Sequence, residues 1–286
     1  VWELQNFIKK SGIWSDIVKK GKSMEKAQVA FLWSDTSRRH QVESIAKPSS
    51  ILHSTDGLNA LFRNIHIERE VLTEPEIQKG DIPSSIKVIV IPESIYFEKA
   101  TYKKLKEFVK KGGWVFAINS KGAYYDNRGK KDLTLYNMAE ILPREIPAPG
   151  YFKCNGQALT NFGWIIHRTK KWHGWKDIGK KMEVLASTAE EYPVIVKKGV
   201  AKGGIILSSF PIGDAAGFNI GLRHRKPLPE EARILQNIVL DILNSLKISE
   251  TAKTDLLEVH PWYYNHKNYL IIANLRLYKN GIFPIT

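Results

Sequence analysis

Ser120 lies within FVKKGGWVFAINSKGA, residues 108–123. There the apolar run Trp114–Ile118 reads as a buried strand, and Asn119-Ser120-Lys121-Gly122 as the turn that leaves it. A hydroxyl on such a turn is where many α/β enzymes hold a nucleophile. To attack, it needs a base within hydrogen-bond reach and an acid that orients the base. His224, followed by Glu230-Glu231, is the candidate partner. Against that chemistry, no glycine stands two residues before Ser120 to permit a tight, strained turn. The stretch PLPEEA also reads as a helix start, where Glu complements the helix dipole. A Ser120–His224 dyad is therefore the alternative to a turn without chemistry.

The remaining polar and aromatic candidates each carry two readings. Asp35, Glu93 and Ser94 fall just beyond expected strands, where open α/β sheets bind ligands, but helix capping is the preferred reading for them. Trp164, Arg168, Trp172, His173 and Trp175 crowd one segment. Aromatic faces stack on sugar rings, while Trp with Arg also anchors interfaces. Packing against a neighbouring domain or subunit is preferred there, with carbohydrate contact second. Cys154 has no strand-turn-helix around it and is not read as a nucleophile. His167, His173, His260 and His266 show no close-spaced ligand pair, so no metal is expected. Gly199, Gly203, Gly204, Gly213, Gly217 and Gly221 match neither a phosphate loop nor a dinucleotide fingerprint, so no cofactor is expected.

The chain has 286 residues, 43% of them hydrophobic and 25% charged, the balance of a globular protein. No apolar run approaches the roughly 20 residues of a membrane helix, so no membrane span is expected. One cysteine excludes an intrachain disulfide and any cysteine-based zinc site. The net charge of +14 raises nucleic acid as a partner. The lysine pairs are scattered and Lys heavily outnumbers Arg, which favours solvated helix faces over a nucleic-acid site. Compartment is left open.

The elements that must position these residues alternate. Residues 2–20 have mostly helical apolar spacing, and Gln28–Trp33 reads as a buried strand. A helical run follows Asp56-Gly57, then strands near Val71-Leu72 and over Val88–Ile91. Residues 98–111 form an amphipathic helix with Tyr102, Leu105, Phe108 and Val109 on one face, stopped at Gly112. Leu133–Leu142 is read as a helix with Pro143 at its exit, and 151–182 as irregular. A strand at 182–186, a hairpin of 192–197 with 204–208, a helix over 229–246 and antiparallel strands beyond 256 complete the chain. Strands that are continuous apolar runs, separated by helices, imply a parallel sheet covered on both faces: a doubly wound, flavodoxin-like α/β fold.

The order VAFLWSDTS, IPSSIKVIVIPESIYF, YKKLKEFVKKGGWVFAINS and YPVIVKKGVAKGGIILSSFPIG resembles the middle, trimerisation domain of glycoside hydrolase family 42 β-galactosidases. That domain is similar in fold to class I glutamine amidotransferases. The resemblance covers residues 25–248. It implies that residues 1–24 are the end of a preceding barrel and 249–286 the start of a C-terminal β-sandwich. It also implies a homo-oligomer or a barrel-containing partner, and a non-catalytic structural role, because both catalytic carboxylates of the family belong to the barrel. Amidotransferases carry a catalytic Cys at the turn matching Ser120, and this chain has none there. The alternatives are a self-contained hydrolase using Ser120 and a non-enzymatic assembly protein with this fold.

Overall fold

The computed structural model describes residues 22–23, 26–41, 51–120, 122, 124–154, 157–159, 172–176, 182–219 and 230–248, with 257–264, 267–274 and 280–285 described as strand backbone. The helices expected over 2–20 lie outside the described residues. In chain order the first elements are β1 (Lys22–Ser23), β2 (Val29–Trp33), α1 (Asp35–Gln41), α2 (Ile51–Asn64), β3 (Arg69–Thr73), α3 (Glu74–Lys79), β4 (Val88–Ile91), β5 (Tyr96–Phe97), α4 (Lys99–Lys110) and β6 (Trp114–Ile118). Next come β7 (Tyr125–Asp126), α5 (Thr134–Ala139), β8 (Leu142–Ile146), β9 (Phe152–Cys154), β10 (Gln157–Leu159), β11 (Trp172–Lys176) and β12 (Glu183–Thr188). The last are β13 (Pro193–Val200), β14 (Gly203–Ser208), α6 (Ile212–Asn219), α7 (Glu230–Ser245), β15 (Leu257–Tyr264), β16 (Lys267–Asn274) and β17 (Asn280–Ile285).

A nine-stranded sheet runs β10-β9-β12-β13-β14-β6-β4-β2-β3. Its β14, β6, β4, β2 and β3 pair in parallel, and the other four extend it antiparallel. The apolar strands alternate between two cores. Val29, Phe31, Val88, Val90, Phe116 and Ile118 face α2, α6 and α7. Ala30, Leu32, Ile89, Ile91, Val115 and Ala117 face α3, α4 and α5. Burial on both faces is why each strand is a continuous apolar run, and it makes the fold α/β with helices on both sides.

Helix α4 buries Tyr102, Leu105 and Val109 and leaves Lys103, Lys106 and Lys110 in solvent, as its spacing requires. It ends at Gly112, whose φ of +114° is cheap only without a Cβ. Beyond it the chain passes so close to β14 that a Cβ on Gly203 would lie 2.0 Å from the Gly113 carbonyl oxygen. Side chains are barred there by the approach of two backbones.

Several sequence expectations need correction. Helix α2 is already formed at Ile51, so Asp56-Gly57 lies inside it, with Gly57 buried. The helix expected over Leu133–Leu142 ends at Ala139, where Glu140 takes a left-handed conformation. Leu142 and Pro143 belong to β8, which pairs with β11. Segment 151–182, read as irregular, contributes β9, β10 and β11. The C-terminal strands form an antiparallel sheet ordered β1-β15-β16-β17, in which Lys22 and Ser23 pair with Tyr263 and Trp262. A segment from the start of the chain thus joins strands from its end, a pairing invisible to local pattern. Among the described residues, no helix is long and apolar enough to cross a membrane.

Candidate functional site

The carboxyl ends of β2, β4 and β6 bring together most of the polar candidates. The five parallel strands, taken in chain order, lie as 2-1-3-4-5, so the strand order reverses between β2 and β4. Ligands of open α/β sheets bind in the crevice at that point. Among the described residues, the polar groups at that point hydrogen-bond to one another.

Ser34 leaves β2 and caps α1, its Oγ accepting the Ser37 N–H at 2.9 Å. Its hydroxyl donates to Glu74 at 2.6 Å. The Glu74 carboxylate also accepts the Thr36 N–H at 3.3 Å, the Glu98 N–H at 3.2 Å and the Thr101 hydroxyl at 3.0 Å. Above the crevice, Ser37 Oγ donates to the Tyr96 carbonyl at 2.6 Å and accepts the Tyr96 N–H at 2.8 Å. Asp35 stands outside this knot, exposed, where it accepts from Trp33 Nε1 at 3.3 Å and Arg38 Nε at 3.1 Å. Capping of α1 falls to Ser34, and Asp35 holds side chains around it.

Glu93 and Ser120 form the second knot. The register Ile91↔Ala117 continues past the strand ends and brings the turn after β4 beside the turn after β6. Glu93 is 1% exposed with φ +35°, an uncommon conformation for a residue with a Cβ. Its carboxylate accepts the Ser120 hydroxyl at 3.0 Å and lies 3.3 Å from the Ser120 N. Ser94 is fully buried and donates to the Pro92 carbonyl at 2.9 Å, a turn contact. Behind Ser120, Asn119 Nδ2 donates to the Tyr136 hydroxyl at 2.8 Å. Burial first, and then the charge of Glu93 among others, pushes the Tyr136 and Tyr124 phenols far above their ordinary range, so both stay protonated.

Among the described residues the partner of the Ser120 hydroxyl is the Glu93 carboxylate. Ser120 is also not among the residues with positive φ, so the strained elbow is missing and the strain sits at Glu93. A carboxylate 3.0 Å from the hydroxyl can accept its proton, but carboxylates are in general weaker bases than the imidazole that usually serves a serine nucleophile. His224, Trp164 and Arg168 lie outside the described residues. The imidazole that does approach this turn is His173, whose ring fills the space a Cβ on Gly122 would take, 2.4 Å from its Cδ2.

Trp172 and Trp175, read as interface or sugar contacts, are each 2% exposed and pack inside the chain. Trp172 stacks near Phe152 in one core, and Trp175 meets Tyr136 in the other while donating to the Val194 carbonyl at 3.0 Å. Neither indole is exposed enough to present a face to a partner. Cys154 is buried, donates to the Leu185 carbonyl at 3.3 Å, and has its thiol pKa pushed up to about 11 by burial and by Asp241. It is a thiol at neutral pH and inert. Among the described residues no group of His, Cys, Asp and Glu is arranged to hold a metal.

Two features escaped sequence reasoning. Glu93 as the partner of Ser120 was legible in principle, because consecutive parallel strands in such a sheet set their end turns side by side. The stack of His40 on Tyr96 at 4.5 Å, and of Tyr96 on Tyr125 at 5.2 Å, joins α1, β5 and β7 and had no local signal.

The fold of this chain, a sheet with helices on both faces, is similar to parts of solved glycosidases. A β-galactosidase from Bacillus circulans sp. alkalophilus is 14% identical, with the match covering 94% of this chain and 41% of that one at a TM-score of 0.62. A catalytic mutant of Gan42B, a GH42 β-galactosidase from G. stearothermophilus, is 15% identical over 91% of this chain and 39% of that one, at 0.59. An α-L-fucosidase isoenzyme 2 from Paenibacillus thiaminolyticus is 15% identical over 94% and 40%, at 0.59. The chain therefore spans about two fifths of the length of these proteins, and the likeness is one of fold. No protein-family model and no curated protein matches the sequence.

Proposed function

We propose that this chain is the structural α/β region of a carbohydrate-active enzyme of the family 42 β-galactosidase type, working beside a barrel that carries the hydrolysis. The Glu93–Ser120 pair carries this reading: the turn on which an amidotransferase would hold its nucleophile is closed by a carboxylate. The 2-1-3-4-5 strand order of flavodoxin-like sheets supports an amidotransferase-like ancestry, as does the fold likeness to the two β-galactosidases. Glycoside hydrolysis needs two carboxylates presented across the scissile bond. Glu74 and Glu93 are both buried and engaged by protein donors, so neither faces a sugar. Residues 25–248 would form the α/β unit, and Lys22–Ser23 would belong with the C-terminal sheet they pair into. The role left to the fold is holding subunits or neighbouring domains in place.

Purified chain assayed with nitrophenyl glycosides, nitrophenyl esters and glutamine is expected to show no turnover that Ser120→Ala abolishes. Light scattering on the same sample is expected to give a multiple of the monomer mass. Turnover lost in Ser120→Ala would establish the self-contained hydrolase instead, since Ser120 Oγ does have a carboxylate at 3.0 Å able to take its proton.

A further inference from the structure

The edge of the sheet that holds the two knots also carries a basic rim. Helix α1 ends in Arg38, Arg39 and His40, all exposed. Facing it is the turn Asn127-Arg128-Gly129-Lys130-Lys131, exposed throughout. His40 ties the two together, with Nε2 3.1 Å from the Asn127 carbonyl oxygen and its ring stacked on Tyr96, which stacks in turn on Tyr125 at the root of the turn. The turn is shaped from inside. Asp126, 3% exposed, accepts the Arg128 and Lys130 N–H groups at 2.9 Å each, and Gly129 adopts φ +75°.

The acids at this rim are already occupied. Asp35 is engaged by Arg38 at 3.1 Å and Asp126 points into its own turn. Arg39, Arg128, Lys130 and Lys131 make no ion pair among the described residues. Basic residues in the last turn of α1 also complement its dipole, but the turn 127–131 is not helical and has no such reason to be cationic. A hydrogen-bonded turn has less backbone freedom to lose on meeting a ligand, so the main chain that carries these cations is preorganised.

We propose that this rim binds a linear anionic polysaccharide, with sulfate or uronate groups pairing to Arg39, Arg128, Lys130 and Lys131. This rests on the carbohydrate-enzyme reading above and adds a substrate class to it. Guanidinium groups fork onto sulfate and carboxylate oxygens, and the chain's net charge of +14 adds attraction at a distance. Single-stranded nucleic acid fits less well. Such sites stack bases on open aromatic faces, whereas Tyr96 has both faces covered by His40 and Tyr125.

Affinity electrophoresis and titration calorimetry would use dextran sulfate, polygalacturonate, neutral dextran and single-stranded DNA at two salt concentrations. The chain is expected to bind at least one acidic polysaccharide, more weakly at higher salt, and not neutral dextran; the two acidic probes separate sulfate from carboxylate. The Arg128→Ala, Lys130→Ala, Lys131→Ala triple variant is expected to bind at least tenfold more weakly. A charge-matched control removes Lys87, Lys104 and Lys111 as alanines from the rim of a cavity of about 330 Å³ at the opposite end of the sheet, and is expected to change binding less than threefold. Equal loss in the control, equal or tighter binding of DNA, or no binding of either acidic polysaccharide would overturn the proposal. Oligomeric mass and Ser120-dependent turnover, read on the same samples, score the structural reading separately.

Discussion

Glu74 and Glu93 are both buried carboxylates at the carboxyl edge of one sheet, and their surroundings differ in kind. Glu74, 4% exposed, stands in the first turn of α3 and gathers donors from Ser34, Thr36, Glu98 and Thr101, which belong to two other segments. Glu93, 1% exposed, is held at φ +35° and grips Ser120 through both N–H and O–H. The first is a rivet between β2, α3 and α4. The second is a strained residue on the turn facing the position where a nucleophile would stand. Burial alone does not mark a site. The donors and the backbone geometry separate a carboxylate that ties segments together from one held at positive φ.

The largest effect is expected on removing the rivet. Glu74→Ala strands hydroxyl and amide donors in a buried setting and is expected to cost about 3 kcal/mol of unfolding free energy in a urea titration. A cost below that of Ser120→Ala would invert the comparison. Ser120→Ala takes one O–H donor from Glu93 while the backbone N–H remains, so about 1.5 kcal/mol is expected. The strain is isolated by comparing Glu93→Gly with Glu93→Ala. Both lose the grip on Ser120, but glycine enters positive φ freely, so the Gly variant should be the more stable by about 1 kcal/mol. Equal urea midpoints would mean that Glu93 carries no strain.

The rivet and the strained pair were legible to different degrees. Continuous apolar runs such as Val88–Ile91 and Trp114–Ile118 announced a sheet covered on both faces, and the coverage is there. The helix stop at Gly112 was legible because only glycine suits φ +114°. Glu93, Ser94 and Ser120 were singled out as strand-end residues, yet the Glu93–Ser120 contact depends on which strands lie side by side. Glu74 drew no notice, since the sequence shows an acidic residue at a helix start, an ordinary surface feature. Its burial comes from α1 and α4 closing over it. Trp172 and Trp175 misled for the converse reason: tryptophans close in sequence read as a binding face, and only the fold shows these two packed into two different cores. Local pattern specifies elements, and contacts between distant segments decide which polar and aromatic groups remain free.

The smallest expected effect comes from a third carboxylate, two residues from the rivet. Glu76 reaches back to Thr73, accepting its N–H and its hydroxyl at 2.7 Å each. The backbone N–H and then the hydroxyl of Thr73 hold the Glu76 carboxyl below the usual carboxylate range. A carboxyl depressed in the folded state stabilises the fold above its unfolded pKa, and that contribution is lost as pH falls through the lower, folded value. Glu76 is only partly buried, so solvent screens the gain. Glu76→Gln is therefore expected to cost less than about 1 kcal/mol at pH 7, in the range of a helix-start contact. The difference from the parent chain should shrink as pH drops below the ordinary glutamate value. A difference independent of pH between 7 and 3 would mean that shape rather than the charge of Glu76 sets the start of α3.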